Sequence, residues 1–184
     1  ITNRLVGSEM CIRDRSKLIL IPGDQLSLDQ PALKQSEPGR DIIVLAEVAE
    51  EAAYVRHNRH KIALLFAAMR HFRLELETLG YDVHYTAIDQ GVASLKEAVH
   101  NVLVQTAAKE VVVCEPGEYR LVHQMRSAWS SSLGVPVTVL EDDRFLASHE
   151  DFERWARGKK QLRMEFFYRK MRERYQLLMD DGQP

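Results

Sequence analysis

The chain has 184 residues, of which 45% are hydrophobic and 28% charged, and its formal net charge is −2. This balance is typical of a globular protein of one domain and a fraction more. It excludes a protein that binds nucleic acid through bulk positive charge, and no apolar run approaches the roughly 18 residues of a membrane span. Two cysteines, Cys11 and Cys114, exclude a disulfide framework and predict a reducing, cytoplasmic location.

The two ends of the chain differ from its middle. Residues 1–16 (ITNRLVGSEMCIRDRS) show neither helical nor strand periodicity. Back-translation of Leu5–Arg15 gives a string that resembles a transposase-based sequencing adapter, so we interpret residues 1–16 as a non-native tail and exclude them from the fold. Asp180–Pro184 reads as a turn signal with nothing after it. We therefore expect a fragment of a longer chain.

Strand and helix patterns alternate between these ends. Short apolar runs predict strands at Lys17–Pro22, Ile42–Ala46, Asp82–Ile88, Val111–Cys114 and Val135–Leu140. Amphipathic spacing predicts helices at Lys61–Leu79, Val92–Ala107, Arg120–Leu133, His149–Arg157 and Gln161–Met179. The pattern predicts an α/β fold, with a doubly wound five-stranded parallel sheet in residues 17–148 and connector helices in residues 149–184.

The predicted strand ends indicate where a ligand would bind. In an open parallel sheet, ligands lie beyond the carboxyl ends of the strands. Carboxylates and tyrosines gather after those ends: Asp24, Glu47, Glu50, Glu51, Tyr54, Glu115, Glu118, Tyr119, Glu141, Asp142 and Asp143. The sequence contains no glycine-rich phosphate loop, and an acidic edge repels phosphate. We therefore expect a ligand with many hydroxyl or N–H donors, such as a ribityl chain or a pteridine-like ring.

Individual residues at this edge allow two interpretations each. Asp24 could accept hydrogen bonds from such a ring, or could cap a turn or helix. Glu51 and Tyr54 are three residues apart and share one helix face, which could bind the ligand or form an exposed first turn. Glu47 could cap the next segment. We expect Cys114 to be a small buried apolar residue, and we predict no catalytic residue and no metal site, because the histidines lack metal-binding spacing.

A basic stretch follows the predicted sheet. Arg154–Tyr175 holds nine Lys and Arg residues against two acidic residues, with five aromatic residues among them. Basic residues interleaved with aromatic residues can mark a nucleic-acid contact. A helix that packs its aromatic residues on a neighbouring domain explains the same pattern. We favour packing for the aromatic residues, and both interpretations stay open for the charges.

Six segments, taken together, resemble one protein family. They are LILIPGDQLS (Leu18–Ser27), AEVAEEAAYVRHNRHKIALLFAAMRHF (Ala46–Phe72), GYDVHY (Gly80–Tyr85), EPGEYR (Glu115–Arg120), EDDRFLAS (Glu141–Ser148) and KKQLRMEFFYRKMR (Lys159–Arg172). In order and spacing they look like the deoxyribodipyrimidine photolyase-related proteins, the bacterial iron–sulfur cryptochromes and (6-4) photolyases. The resemblance covers essentially all of residues 17–184.

The resemblance implies a two-domain flavoprotein. The α/β domain would bind the antenna 6,7-dimethyl-8-ribityllumazine through Asp24, Glu51 and Tyr54. A helical C-terminal domain outside this chain would hold FAD and a 4Fe–4S cluster on four cysteines, and would dock damaged DNA. The family pattern reads L-G-D-Q where this chain has Pro22, and that proline could shift the turn and its aspartate.

The implied activity belongs to the full-length protein. We expect a monomer that repairs DNA lesions in light, with excitation passed from the antenna to reduced FAD, and we expect the fragment alone to be catalytically inactive. A blue-light photoreceptor cryptochrome without repair activity fits the same sequence. An unrelated nucleotide-binding α/β protein is the third alternative, and it predicts a bound nucleotide instead of a lumazine.

Overall fold

The computed structural model describes residues 17–106 and 108–183, so the interpretation of residues 1–16 as a non-native tail lies outside the described residues. One sheet contains five strands: β1 (Lys17–Leu20), β2 (Ile42–Ala46), β3 (Asp82–Thr86), β4 (Glu110–Cys114) and β5 (Val137–Leu140). All neighbouring strands are parallel, and their order is β3-β2-β1-β4-β5. The chain builds one half of the sheet outward from β1 and then the other half, which confirms the doubly wound α/β fold.

Helices connect the strands and follow the last one. They are α1 (Pro31–Lys34), α2 (Ala49–Ala53), α3 (Arg59–Thr78), α4 (Leu95–Gln105), α5 (Tyr119–Gln124), α6 (Ser130–Leu133), α7 (His149–Ala156) and α8 (Met164–Tyr175). A π-helical turn at Met125–Trp129 joins α5 to α6, and a 3-10 turn at Ile88–Gln90 follows β3. We did not predict α1, because four residues are too few to show helical periodicity. For α2 we predicted only that Glu51 and Tyr54 share one helix face, without bounds for the helix. The predicted end of the second long helix, Ala107, lies outside the described residues.

Local capping sets the helix boundaries that periodicity misplaced. The Asn58 side chain accepts a hydrogen bond from the backbone N–H of His60, so α3 begins two residues earlier than predicted. The Ser94 hydroxyl accepts from the N–H of Glu97, so α4 begins three residues later than predicted. Gln176 has a φ of 53°, and this left-handed residue ends α8 four residues early.

Both faces of the sheet are buried under helices. Leu18 and Leu20 of the central strand pack against α4 and α5, whereas Ile19 and Ile21 pack against α1 and α3. All four side chains are fully buried. This alternation explains why the central strands read as continuous apolar runs, since each residue in them faces a helix layer on one side or the other.

The last two helices form a small aromatic cluster. Phe152, Trp155 and Phe167 have ring centroids 5.0–5.6 Å apart, and Trp155 and Phe167 are buried. Phe166 and Tyr168 are exposed on the same helix as Phe167. Two of the five aromatic residues of the basic stretch thus pack within this chain, and packing of the exposed ones on a neighbouring domain stays a prediction.

Charged side chains of the basic stretch are partly neutralised by local acids. Arg154, Arg157 and Arg169 pair with carboxylates four residues earlier, and Arg174 pairs with Asp151 at 2.8 Å. Across residues 17–106 and 108–183, no helix is both long enough and apolar enough to span a bilayer.

Candidate functional site

The three residues singled out in the sequence border one cleft. Asp24 lies in the turn after β1, Glu51 lies in α2, and Tyr54 is the residue that ends α2. The cleft has a volume of ≈ 340 Å³ and opens at the carboxyl ends of β1 and β2. Because Asp24 is remote in sequence from the other two, only the parallel pairing of β1 with β2 brings them together. We call this space the acidic cleft.

The floor of the acidic cleft is apolar. It is formed by side chains from the start of α2, from α3 and from the start of α4: Val48, Leu65, Phe66, Met69 and Leu95. Gly23 lets the β1 turn lie close to α3, since a Cβ atom there would sit 3.0 Å from the sulfur of Met69. An apolar floor with carboxylates at its rim is the usual composition of a small-molecule site.

Pro22 leaves Asp24 at the cleft. The proline is buried, and its carbonyl oxygen accepts a hydrogen bond from the backbone N–H of Gln25 at 3.0 Å, which closes the turn. Asp24 is exposed and lines the cleft. Within the described part of the chain, no group forms a hydrogen bond with the side chain of Asp24 or Tyr54. Their polar atoms are therefore available to a ligand.

The Glu51 carboxylate is held by an arginine that the sequence analysis missed. The Nη2 atom of Arg120 lies 2.9 and 3.1 Å from the two carboxylate oxygens of Glu51. The side chain of Glu51 is 27% exposed. Burial raises the pKa of Glu51 above its ordinary value, and the hydrogen bond and charge of Arg120 act in the opposite direction.

Arg120 also touches the tyrosine and two further carboxylates. Its guanidinium carbon lies 4.9 Å from the ring centroid of Tyr54. Its Nη1 and Nε atoms lie 3.1 Å from Glu50 and 3.0 Å from Glu118. Hydrogen bonds to Glu118 and Glu51 raise the pKa of Arg120, so the guanidinium stays charged. A sequence signal existed: an edge with this many carboxylates requires a cation, and Arg120 is the first cation after β4.

Comparison with known proteins shows which family the chain belongs to. The family model of the deoxyribodipyrimidine photo-lyase-related proteins matches residues 19–184. The chain belongs to this family. A (6-4) photolyase of Agrobacterium fabrum (strain C58 / ATCC 33970) is 44% identical over 171 residues, which are 92% of this chain and 34% of that photolyase. This photolyase-related chain thus spans about a third of the length of its relative, and the resemblance found in the motifs is confirmed.

A second carboxylate–arginine network lies behind the acidic cleft of the photolyase-related chain. Glu47 is fully buried, and its oxygens lie 2.6 and 2.9 Å from the Nε and Nη2 atoms of Arg70. They also accept from the Tyr85 hydroxyl and, at 3.0 Å, from the N–H of Ile88. Burial opposes the charge, but these donors hold the pKa of Glu47 below its ordinary value. Glu47 does not cap α2, because its side chain turns toward β3.

A second cleft of ≈ 740 Å³ lies on the other side of Asp24 in the photolyase-related chain. It opens between the ends of β4 and β5 and the helices α7 and α8, and its lining includes Glu115, Arg144 and Phe152. Gln25 also lines it, and its Nε2 atom donates to the carbonyl oxygen of Glu115 at 2.7 Å. This bond ties the β1 turn to the β4 turn at the point where the strand order reverses.

The described part of this photolyase-related chain contains neither a reactive thiol nor a group of side chains placed to hold a metal ion. Cys114 is fully buried at the end of β4, and burial raises the pKa of its thiol to about 11. The thiol is therefore inert, as expected for a small apolar residue. Within residues 17–106 and 108–183, no group of three or more His, Cys, Asp or Glu side chains is placed to hold a metal ion.

Proposed function

We propose that this chain is the antenna-binding domain of a photolyase-like protein and that its acidic cleft holds 6,7-dimethyl-8-ribityllumazine. The observation that carries the proposal is the convergence of Asp24, Glu51 and Tyr54 on one cleft of ≈ 340 Å³. This volume is within the range of about 300–1,000 Å³ that is usual for small-molecule sites. The choice of this pigment follows what the resemblance of the motifs implies.

The residues present fit the chemistry of a neutral ring that carries a hydroxyl-rich ribityl chain. The carboxylates of Asp24 and Glu51 accept hydrogen bonds from N–H and hydroxyl groups, and the Tyr54 hydroxyl can donate or accept. The apolar floor suits the methyl-bearing edge of the ring. Carboxylates outnumber cations around the cleft, which disfavours phosphorylated ligands such as FMN or ATP.

The chain's own task is to bind and orient the pigment. When bound, the lumazine supplies absorption of blue or near-UV light. The carboxylates and Tyr54 fix the ring by its polar edge, and the apolar floor excludes water from its face. These residues make and break no bond, so we propose that the chain by itself has no catalytic activity.

For the whole protein we propose light-dependent repair of pyrimidine lesions in DNA. Reduced FAD would supply the electron for repair of a lesion flipped out of the duplex. FAD and a 4Fe–4S cluster would lie on a further domain, since the described residues contain a single cysteine, which is buried. Damaged DNA and that further domain are the proposed partners of a cytoplasmic monomer. The name of the relative, a (6-4) photolyase, favours repair over a signalling cryptochrome.

A titration tests the pigment proposal. The purified chain is titrated with the lumazine, and binding is followed through the fluorescence of the pigment. Glu51→Gln should weaken binding roughly ten- to a hundredfold, because a hydrogen bond to a charged group contributes about 1.5–3 kcal/mol. Glu165→Gln is the matched control, since Glu165 also pairs with an arginine, at 2.8 Å, but lies on α8. Equal affinities for all three proteins would contradict the proposal.

A comparison of ligands distinguishes the pigment-binding proposal from the nucleotide-binding alternative. The same chain is titrated with FMN and with ATP. We expect both to bind at least tenfold more weakly than the lumazine, because their phosphates approach the carboxylates of the cleft. Tighter binding of ATP would support the unrelated nucleotide-binding protein instead.

The whole-protein proposal is tested on the gene and its full product. Sequencing the source locus should show an open reading frame that continues past Pro184 into a helical region with four cysteines. The full-length product should then restore UV-damaged pyrimidines in an oligonucleotide under blue light. A stop codon after Pro184 would contradict the two-domain proposal, and a full-length product without repair would favour the photoreceptor.

A further inference from the structure

One guanidinium joins two segments that the chain keeps far apart. Glu50 and Glu51 belong to α2, whereas Glu118 and Arg120 lie at the start of α5, after β4. Arg120 bonds all three carboxylates within 3.1 Å. We infer that Arg120 is a positioning residue of the acidic cleft, which fixes the Glu51 carboxylate and the Tyr54 ring for the pigment. This inference rests on the proposed function.

The geometry leaves Glu51 free to accept from a ligand. A single nitrogen of Arg120 faces both carboxylate oxygens of Glu51, at 2.9 and 3.1 Å. Each oxygen has two acceptor sites, so each keeps one for the pigment. Glu118 holds the guanidinium in turn, with its oxygens 3.0 and 3.3 Å from the Nε and Nη2 atoms of Arg120. Glu118 therefore fixes the position of the Arg120 guanidinium relative to the α5 segment.

The same contact steadies the segment that carries Glu51 and Tyr54. Helix α2 has five residues, and no side chain caps its N-terminus. So short a helix is unstable alone and depends on tertiary contacts. The guanidinium lies over the Tyr54 ring with its carbon 4.9 Å from the ring centroid, which is the geometry of a cation–π contact. Arg120 thus restrains both ligand-facing side chains of α2.

The charges around Glu51 should make pigment binding depend on pH. The titratable and charged groups around Glu51 come from the β1 turn, α2 and the segment after it, α3, α4 and the α5 segment: Asp24, Glu50, Tyr54, His57, Lys61, Lys96, Glu118 and Arg120. Burial and the neighbouring carboxylates raise the pKa of Glu51, and Arg120 lowers it. Without the guanidinium, Glu51 should take up a proton at a higher pH. A protonated Glu51 has lost part of its acceptor capacity, so binding should then weaken at that higher pH.

The experiment is a double-mutant cycle in lumazine binding, measured from pH 5 to pH 8. The proteins are the unmodified chain, Arg120→Met, Glu51→Gln and the double variant. Arg126→Met is the matched control, because Arg126 belongs to the same helical segment and pairs with Glu115 at 2.6 Å, outside the acidic cleft. Circular dichroism checks folding, and Arg120→Gln, which also removes the charge, replaces Arg120→Met if that variant does not fold.

We expect Arg120→Met to weaken binding at least tenfold at pH 7 and Arg126→Met to stay within twofold. The pH at which binding is half lost should rise in Arg120→Met, and this rise should vanish when Glu51→Gln is also present. The variants with and without Glu51→Gln share all other side chains around the cleft, so the comparison isolates the contribution of Glu51. In the double variant, the added loss from Arg120→Met should be less than threefold, because the larger part of its effect passes through Glu51 and only its contact with the Tyr54 ring remains to be lost.

Two results would overturn the inference. Unchanged binding by Arg120→Met would show that the contact between Arg120 and Glu51 is not needed for binding. Fully additive losses in the double variant would show that Arg120 does not act through Glu51. Absence of binding by the unmodified chain would contradict the proposed function itself. The two failures are therefore distinguishable.

Discussion

Replacement of the buried Glu47 carboxylate should destabilise the fold more than any change at the rim of the acidic cleft. Glu47 is 0% exposed and accepts four hydrogen bonds, two from Arg70, one from Tyr85 and one from the N–H of Ile88. In Glu47→Gln, one carboxylate oxygen becomes an NH2 group, which donates and so opposes the donors already there. The variant keeps the volume of the side chain, and it therefore isolates the loss of charge and acceptors.

The size of the effect follows from which partners can reach water. The Arg70 side chain is 56% exposed, so water replaces much of what that guanidinium loses. The Tyr85 hydroxyl and the Ile88 N–H point to the buried carboxylate, and a buried polar group without a partner costs about 1–3 kcal/mol. The remaining amide oxygen still serves one donor. We expect Glu47→Gln to lower the free energy of unfolding by about 2–4 kcal/mol.

Urea unfolding measures this change in the free energy of unfolding. Repeating it at several pH values tests the direction in which the change depends on pH. The donors lower the pKa of Glu47 in the folded chain, so its contribution is fully present above the unfolded pKa of about 4.3. It is lost as the pH falls through the folded value. The difference between the two proteins should therefore be largest at neutral pH and shrink in acid. A difference below about 0.5 kcal/mol at pH 7, or one that grows in acid, would refute this reasoning.

Three further changes test separate parts of the fold. Gly23→Ala should cost about 1–2 kcal/mol in urea unfolding, because the new Cβ meets the Met69 sulfur at 3.0 Å; an unchanged midpoint would show that Met69 yields freely. In a Cys11→Ser background, Cys114 should resist a thiol reagent at pH 8 until the chain unfolds, because its pKa is about 11 and it is buried; fast reaction of the folded chain would contradict this. Phe167→Ala should cost about 3 kcal/mol, and a cost below 1 kcal/mol would mean that the aromatic cluster is not packed.

The fold could be predicted from the sequence because a strand that is covered by helices on both faces is apolar throughout. Ile42–Ala46 is apolar throughout and is buried throughout, as expected for a strand covered on both faces. Boundaries were less accurate, since capping by Asn58 and Ser94 depends on side-chain hydrogen bonds that periodicity does not report. Helix α1 escaped prediction because it has only four residues, and α2, with five, was predicted only as the helix face that Glu51 and Tyr54 share.

The acidic cleft was predictable in place but not in its internal contacts. Strand ends located Asp24 and Glu51 at the same edge, because parallel strands end on the same side of a sheet. Arg120 is 69 residues from Glu51, and nothing in the sequence states which of several carboxylates it contacts. We interpreted Glu47 as a possible cap of the next segment, whereas the structure shows a buried carboxylate that faces β3.

The two arginine networks act on the same short helix, α2. Glu47 lies two residues before α2 and is bonded to α3 and β3, so it fixes where α2 begins. Arg120, on α5, holds Glu50 and Glu51 in the first turn of α2. The first network is buried and its loss affects unfolding, whereas the second lies at the rim, where an ion pair adds little to stability. Stability and pigment affinity should therefore respond to different arginines, Arg70 and Arg120, although both act on five residues of backbone.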